Sequence, residues 1–240
     1  MVAAAGSGQR LGAGGPKAFV ELAGRPLIEW SLAALDAART IGSMVVAAPA
    51  DYVREAELAA SLAAPKAAVV VTPGGSTRAA SIELALEHVR GDIVAIHDAA
   101  RPLITSDLVD RIVGRLEREQ DADAVIAAVP LTDTIKLAAA ARASSGDAPG
   151  EEETRVAETL DRDALWAAQT PQAFRLDALR RAQSSAAEAG EFDTATDEAW
   201  LIERAGGVVL LEETGTANLK VTTAADLTAA SALIGAKTRA

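Results

Sequence analysis

Cysteine is absent from this chain of 240 residues, which excludes disulfides, thiolate nucleophiles and cysteine-ligated zinc or iron–sulfur centres. Histidine is almost as scarce: His88 and His97 are the only two, so a histidine-rich metal site is excluded as well. Aromatic residues make up 3 % of the chain while half of it is hydrophobic, so the core must be assembled from Ala, Val, Leu and Ile. No apolar run approaches the ~20 residues that a spanning helix needs. No charged segment leads into a short apolar one as in a signal peptide, so no membrane partner is expected and the expected location is the cytoplasm. Positive charge is in deficit, with 23 Lys and Arg against 34 Asp and Glu and a net charge of −11. That balance argues against a nucleic-acid partner or an anionic membrane surface. An anionic small molecule would need a few Arg and Lys side chains converging on one local pocket.

What the chain does have is alternation. Short β-branched runs at 2–5, 44–48, 68–72, 93–97, 124–131 and 208–212 predict strands. Amphipathic stretches at 26–38, 51–63, 77–89, 106–119, 176–189, 197–205 and 224–234 predict helices. Strands separated by helices of about a dozen residues imply right-handed βαβ units and a doubly wound, mostly parallel α/β sheet. Ligands of such sheets sit beyond the carboxyl ends of the strands, so the loops that follow strands are the functional candidates. The first strand is so short that a few more residues upstream are expected. No repeat or linker interrupts the chain, and one domain over 1–240 is expected. Within it, 132–162 breaks the pattern: Asp133-Thr134-Ile135-Lys136 reads as extended, 142–155 as a polar loop tip, and 156–160 as a returning strand. A projecting β-arm of this kind has little core of its own and is expected to pack on a second subunit.

The first strand ends in AAAGSGQRLGAGGPK. Backbone N–H groups in a small-residue loop such as Gly6-Ser7-Gly8 form a nest for phosphate oxygens, and Arg10 and Lys17 add charge that suits a polyphosphate. The spacing is neither a Walker loop nor a dinucleotide fingerprint; the alternative is an ordinary turn with surface charges. The loop Pro73-Gly74-Gly75-Ser76-Thr77-Arg78 follows a strand and opens a helix, with Ser81 in its first turns. Its glycine pair allows close approach to a flat ring, while Ser76 or Thr77 reads as a plain helix cap. In Ile96-His97-Asp98-Ala99-Ala100-Arg101-Pro102, Asp98 should face the cleft and Arg101 reach a phosphate, with a structural capping Asp as the alternative; His97 reads as a packed core residue. Gln169-Thr170-Pro171-Gln172-Ala173-Phe174 signals little beyond a turn. Thr196 is the expected cap of the next helix, and Lys220, judged by its local pattern alone, is a solvated edge residue. Asp121-Ala122-Asp123 imitates the metal motif of glycosyltransferases but precedes a strand, at the wrong end of the sheet, and reads as a polar turn.

The ordered set AAAGSGQRLGAGGPK, GGSTRAAS, HDAARP, LTDTIK, TLDRDALWAAQTPQAF, TDEA and NLKVT resembles the 2-C-methyl-D-erythritol 4-phosphate cytidylyltransferase family, CTP-using enzymes of the non-mevalonate isoprenoid route. The resemblance spans nearly the whole chain. It implies a Rossmann-like nucleotidyltransferase fold, a homodimer joined by the β-arm, and Mg²⁺ or another divalent cation held mainly by phosphates, with Asp98 the one candidate side-chain ligand. It implies that Gly6, Ser7 and Gly8 wrap the triphosphate and that Arg10, Lys17 and Lys220 neutralise charge around the reacting phosphorus. It implies that Gly75 and Ser81 recognise cytosine, and that Ala4, Ala5, Gly74, Arg78 and Ala99 complete the nucleotide site. Asp98 and Arg101 would lie by the ribose and the acceptor, Thr196 and Lys220 would face the acceptor, and Arg162 with Thr134 would reach in from the partner's arm. The chain departs from the family at Ala3, where a Pro is usual, at Ser76, where some members carry Asp, and in a longer arm tip. The same motifs leave room for a ribitol 5-phosphate cytidylyltransferase, and a non-catalytic nucleotide-binding regulator is the alternative of another class.

Overall fold

The computed structural model describes residues 1–6, 15–139, 154–215 and 217–237. Eleven strands and seven helices are named here in chain order. They are β1 (Val2–Ala3), the hairpin β2 (Glu21–Leu22) and β3 (Arg25–Pro26), α1 (Leu27–Ala37), β4 (Ser43–Ala48), α2 (Val53–Ala63), β5 (Ala68–Pro73), α3 (Arg78–Leu86) and β6 (Ile93–Asp98). There follow α4 (Ser106–Arg118), β7 (Ala124–Pro130), β8 (Lys136–Ala138), β9 (Val156–Thr159), β10 (Trp166–Arg175), α5 (Leu176–Glu188), α6 (Glu198–Arg204), β11 (Val209–Glu213) and α7 (Ala224–Lys237).

Seven strands form one sheet in the order β11-β7-β10-β6-β1-β4-β5. All its pairings are parallel except those of β10, which runs antiparallel between β6 and β7. Side chains alternate between the two faces with the period of two that a pleated strand imposes. On β6, Val94 and Ile96 join one core while Ala95 joins the other, and β7 divides Ala124 and Ile126 from Val125 and Ala127 in the same way. Helices α1, α2 and α4 cover one face through residues such as Leu32, Ala60 and Ile112; α3, α5 and α6 cover the other through Ile82, Leu179 and Ile202. Both faces are thus buried, as a parallel sheet requires. Many of the inward residues are alanines, so the helices pack close to the sheet, and Phe174 is the one aromatic among the largest fully buried side chains of the described residues.

A third, smaller cluster matters more for the site. Leu22, Leu27, Leu103, Val221 and Ala230 pack together, docking the β2–β3 hairpin and α7 beside the carboxyl end of the sheet. Val221 is fully buried and its N–H donates to the Ala100 carbonyl at 2.8 Å. The loop that carries Lys220 is thereby fastened to the turn after β6.

Two expectations need correction here. The segment 169–174 is not a turn but the middle of β10, the central antiparallel strand. Proline is unusual in such a strand because it cannot donate to the ladder. Pro171 is accommodated because β10 pairs with β7 through Ala168, then shifts register and resumes at Gln172, where pairing with β6 also begins. Second, Thr196 does not cap α6: Asp197 does, its carboxylate accepting from the Trp200 N–H at 3.0 Å. In the arm, β8 and β9 pair as an antiparallel two-stranded ribbon, and both are exposed along their length. The expected loop tip at 142–155 falls mostly outside the described residues.

Candidate active site

A cavity of about 670 Å³ opens at the carboxyl end of the sheet. Its walls come from the segments that follow β1, β5 and β6. Their backbones continue the ladder past the strand ends: Ala4 N–H donates to Ala47 O at 2.9 Å, Gly74 N–H to Ala48 O at 2.7 Å and Ala99 N–H to Ala3 O at 3.1 Å. Three loops of independent sequence origin are thus stitched into one rim. Lys17, from a 3-10 turn at Lys17–Phe19, and Lys220 enter from the hairpin and α7 side.

The glycine pair is required by close approach. A Cβ on Gly74 would stand 2.5 Å from the Ala5 Cβ and 2.9 Å from Ser81 Oγ; one on Gly75 would stand 2.7 Å from the Ala80 Cβ. Ser81 is buried and locks this turn, its Oγ accepting from Gly75 N–H at 3.0 Å and donating to Thr77 O at 2.8 Å. Thr77 caps α3 by accepting from Ala80 N–H at 3.0 Å, the structural role its sequence position suggested.

Charge on the rim is arranged in alternation. Lys220 Nζ lies 2.6 Å from Asp98 Oδ2, Arg78 Nε lies 3.5 Å from Asp98 Oδ1, and Arg78 Nη1 donates to both oxygens of Glu198 at 2.9 and 2.8 Å. Burial pushes the Asp98 carboxyl up, but the Lys220 and Arg78 charges outweigh it and hold its pKa at about 2. Glu198 is nine-tenths buried or more, and that burial raises its pKa against the pull of Arg78. Arg78 is raised: burial disfavours its charge, but Glu198 and Asp98 more than compensate.

Behind Asp98 lies a hydrogen-bonded brace. Thr170 Oγ1 accepts from Asp98 N–H at 3.1 Å and pairs with His97 Nδ1 at 3.0 Å, and Nε2–H of His97 donates to Arg101 O at 3.2 Å. Burial, partly opposed by Asp98, lowers the His97 pKa to about 4, so at neutral pH the imidazole is uncharged, with its proton on Nε2 and Nδ1 accepting from the Thr170 hydroxyl. Asn218 closes the brace, its side-chain amide donating to Thr170 O at 2.8 Å and Gln169 Oε1 at 3.0 Å while its backbone carbonyl accepts from Arg101 Nη1 at 2.8 Å.

Of the residues singled out in the sequence, Ala4, Ala5, Gly6, Lys17, Gly75, Arg78, Ser81, Asp98, Ala99 and Lys220 line the cavity together, and Gly74 packs directly behind it. Lys220 is therefore not the solvated edge residue its local pattern suggested. Ser7, Gly8 and Arg10 lie outside the described residues. Arg101 does not line the cavity: it is buried and spent on the Asn218 carbonyl, so it acts as a strut instead of reaching out to a phosphate. Thr134, Arg162 and Thr196 are exposed and outside the described lining, and Arg162 donates to the carbonyl of Thr132 within its own arm. Asp123 of the false metal motif accepts from Val208 N–H at 3.0 Å, a turn contact at the amino end of β7. Glu198, Thr170 and Asn218 carried no signal of their own. A Glu in the first turn of a helix suits the helix dipole anywhere, and the other two are informative only once β10 is known to abut β6.

A mostly parallel α/β sheet with small-residue loops and two lysines at its carboxyl end defines a nucleotide-binding transferase. The family model described as "IspD: 2-C-methyl-D-erythritol 4-phosphate cytidylyltransferase" matches residues 1–236, and the chain belongs to that family. The enzyme of that name from Saccharopolyspora erythraea is 41 % identical over 239 residues, covering 98 % of this chain and 97 % of its own. That from Rubrobacter xylanophilus is 40 % identical, covering 100 % and 95 %. Among solved structures, the 2-C-methyl-D-erythritol 4-phosphate cytidylyltransferase of Thermus thermophilus is 33 % identical with a TM-score of 0.70, covering 97 % of this chain and 96 % of its own.

Proposed function

We propose that this chain transfers the cytidylyl group of CTP to 2-C-methyl-D-erythritol 4-phosphate, forming 4-diphosphocytidyl-2-C-methyl-D-erythritol and pyrophosphate in isoprenoid precursor synthesis. The observation that carries the reading is the convergence of Lys17, Lys220 and the glycine turn on one cavity in a chain of this family. An acceptor phosphate oxygen attacks the α-phosphorus; the new P–O bond forms as the bond to the β-phosphate oxygen breaks, and that oxygen leaves with the electron pair. A phosphate monoester, with its second pKa near ~6, is already largely anionic at neutral pH. No general base is needed, consistent with a neutral, fully buried His97. What remains is alignment and charge neutralisation, supplied by Lys17 and Lys220, with Arg10 as the third cation of the proposal. Gly74, Gly75 and Ser81 form a tight wall suited to a pyrimidine.

A divalent cation fits this donor set. Mg²⁺ takes one or two carboxylates together with substrate phosphates and keeps several waters, and Asp98 is the one carboxylate in the described lining. When bound, the ion would neutralise polyphosphate charge. Exposed apolar side chains on the arm, Leu137 at 49 % and Val156 at 61 %, support a homodimer in which the arm lies on its partner, bringing Thr134 and Arg162 to the neighbouring acceptor site. The cytoplasm is the proposed location. The test is pyrophosphate release with CTP and Mg²⁺, comparing methylerythritol phosphate with ribitol 5-phosphate. Release with the former alone is expected; release only with ribitol 5-phosphate would transfer the enzyme to that acceptor, and release with neither would favour a regulator.

A further inference from the structure

Two cations, Arg78 and Lys220, stand on the same rim and share one carboxylate, Asp98. They differ in what else holds them. Lys220 has no other carboxylate among the described ion pairs, and its side chain is 43 % exposed. Arg78 is 33 % exposed and also has Glu198, whose side chain is 3 % exposed and whose two oxygens both accept from Nη1. A carboxylate this deeply buried costs several kcal/mol unless it is paired, so its place in the first turn of α6 calls for a reason. Its neighbour Asp197 has a different role, committed to the Trp200 N–H and to Gln172 Nε2 at 2.8 Å.

We infer that Glu198 is a positioning residue that holds Arg78 in the cavity wall, so that Lys220, and not Arg78, is the cation that turns to the substrate phosphates. The alternating chain Lys220–Asp98–Arg78–Glu198 carries no net charge. An arriving polyphosphate competes with carboxylates for the two cations. It needs to displace only one carboxylate from Lys220, but two from Arg78. With Glu198 neutral, Arg78 would keep only one ion pair, the 3.5 Å contact to Asp98, beside a weaker neutral hydrogen bond, and could close on the phosphates, binding them without the alignment that transfer requires and slowing departure of the product. This inference rests on the cytidylyltransferase reading.

The test is calorimetric titration of inorganic pyrophosphate with Mg²⁺ into the intact protein, alongside steady-state kinetics. Glu198→Gln is expected to bind pyrophosphate about tenfold more tightly, or ~1.4 kcal/mol, with kcat and KM for CTP both lowered. The double variant Arg78→Gln/Glu198→Gln removes both partners of the buried pair and is expected to lose that tightening. Pyrophosphate affinity unchanged in Glu198→Gln, or tightening that persists in the double variant, would overturn the inference alone. Failure of the parent protein to bind pyrophosphate would bring down the cytidylyltransferase reading with it. Should Glu198→Gln not fold, Arg78→Gln is compared with the double variant: equal pyrophosphate affinity supports the inference, and a difference overturns it.

Discussion

Lys17 reaches the cavity from a short 3-10 turn, and its half-buried side chain carries its charge on the rim, near the Asp226 carboxylate, outside the buried apolar core. Lys17→Ala is expected to lower turnover by about a hundredfold to a thousandfold, the scale of losing one preorganised charge-stabilising group, with the melting temperature nearly unchanged. Pyrophosphate release and a thermal melt on the same sample check this; near-normal turnover would remove Lys17 from the mechanism. His97 sets a different expectation. Its pKa falls from an ordinary 6.5 to about 4 in the folded protein, so between these values the unfolded chain binds a proton that the native one does not. Stability therefore drops as pH falls from 6.5 to 4, by ~3 kcal/mol at most. Asp98, lowered from 3.8 to about 2, withdraws its own contribution only below that window. Denaturant midpoints measured across pH 4–7 should show the decline, and His97→Asn should make it shallower, leaving the part due to the buried Met1 amino group, whose pKa is lowered from 8.0 to about 5. At this scale the chain was half legible. Glycines and lysines in loops announce themselves by type and position. Arg101 and Glu198 carry the same charge whether they face a ligand or a buried partner, and only packing decides between the two.

The turn between β5 and α3 is where backbone geometry, not side-chain chemistry, shapes the cavity. Gly75→Ala would drive a methyl group to 2.7 Å from the Ala80 Cβ and 3.1 Å from its backbone carbon, so α3 must shift at its first turn. Affinity for CTP is expected to fall more than tenfold, read by calorimetry, while an alanine at the open position Gly42, which has nothing within 4 Å of its would-be Cβ, should leave it unchanged. The six alternating strands and seven helices expected from periodicity all have counterparts within a few residues of the positions assigned to them. β10 was illegible because its centre reads Gln-Thr-Pro-Gln, polar and proline-broken. Those residues occupy a register shift, with Gln169 and Thr170 bonded into the brace around Asp98 and Gln172 bonded to Asp197, so they do not follow the alternation of a strand with apolar cores on both faces. The missing strand and the missing site residues Thr170 and Asn218 are one omission, since the brace exists only where β10 lies against β6.

For the molecule as a whole, the arm is the element with the least reason to stand alone. Leu137 and Val156 on the arm, with Trp166 at the neighbouring start of β10, leave apolar surface in solvent, and a two-stranded ribbon is marginally stable without a third surface. Replacing Leu137 and Val156 together by Glu is expected to convert a dimer into monomers by light scattering. It should also raise KM for the polyol phosphate far more than KM for CTP, because the nucleotide cavity is built from one chain's own loops. A monomeric parent protein, or equal effects on both substrates, would refute that arrangement.

The place of β10 also bears on the order in which the chain can assemble itself during synthesis. Its two neighbours, β6 and β7, are complete by residue 130, yet the strand that joins them runs from Trp166 to Arg175. Until that stretch leaves the ribosome, each presents a bare inner edge of unpaired amides and carbonyls, the template on which strands of other chains add. The arm between them thus acts as a delay line, and slowing or lengthening it should raise the yield of aggregate without altering the stability of the finished protein.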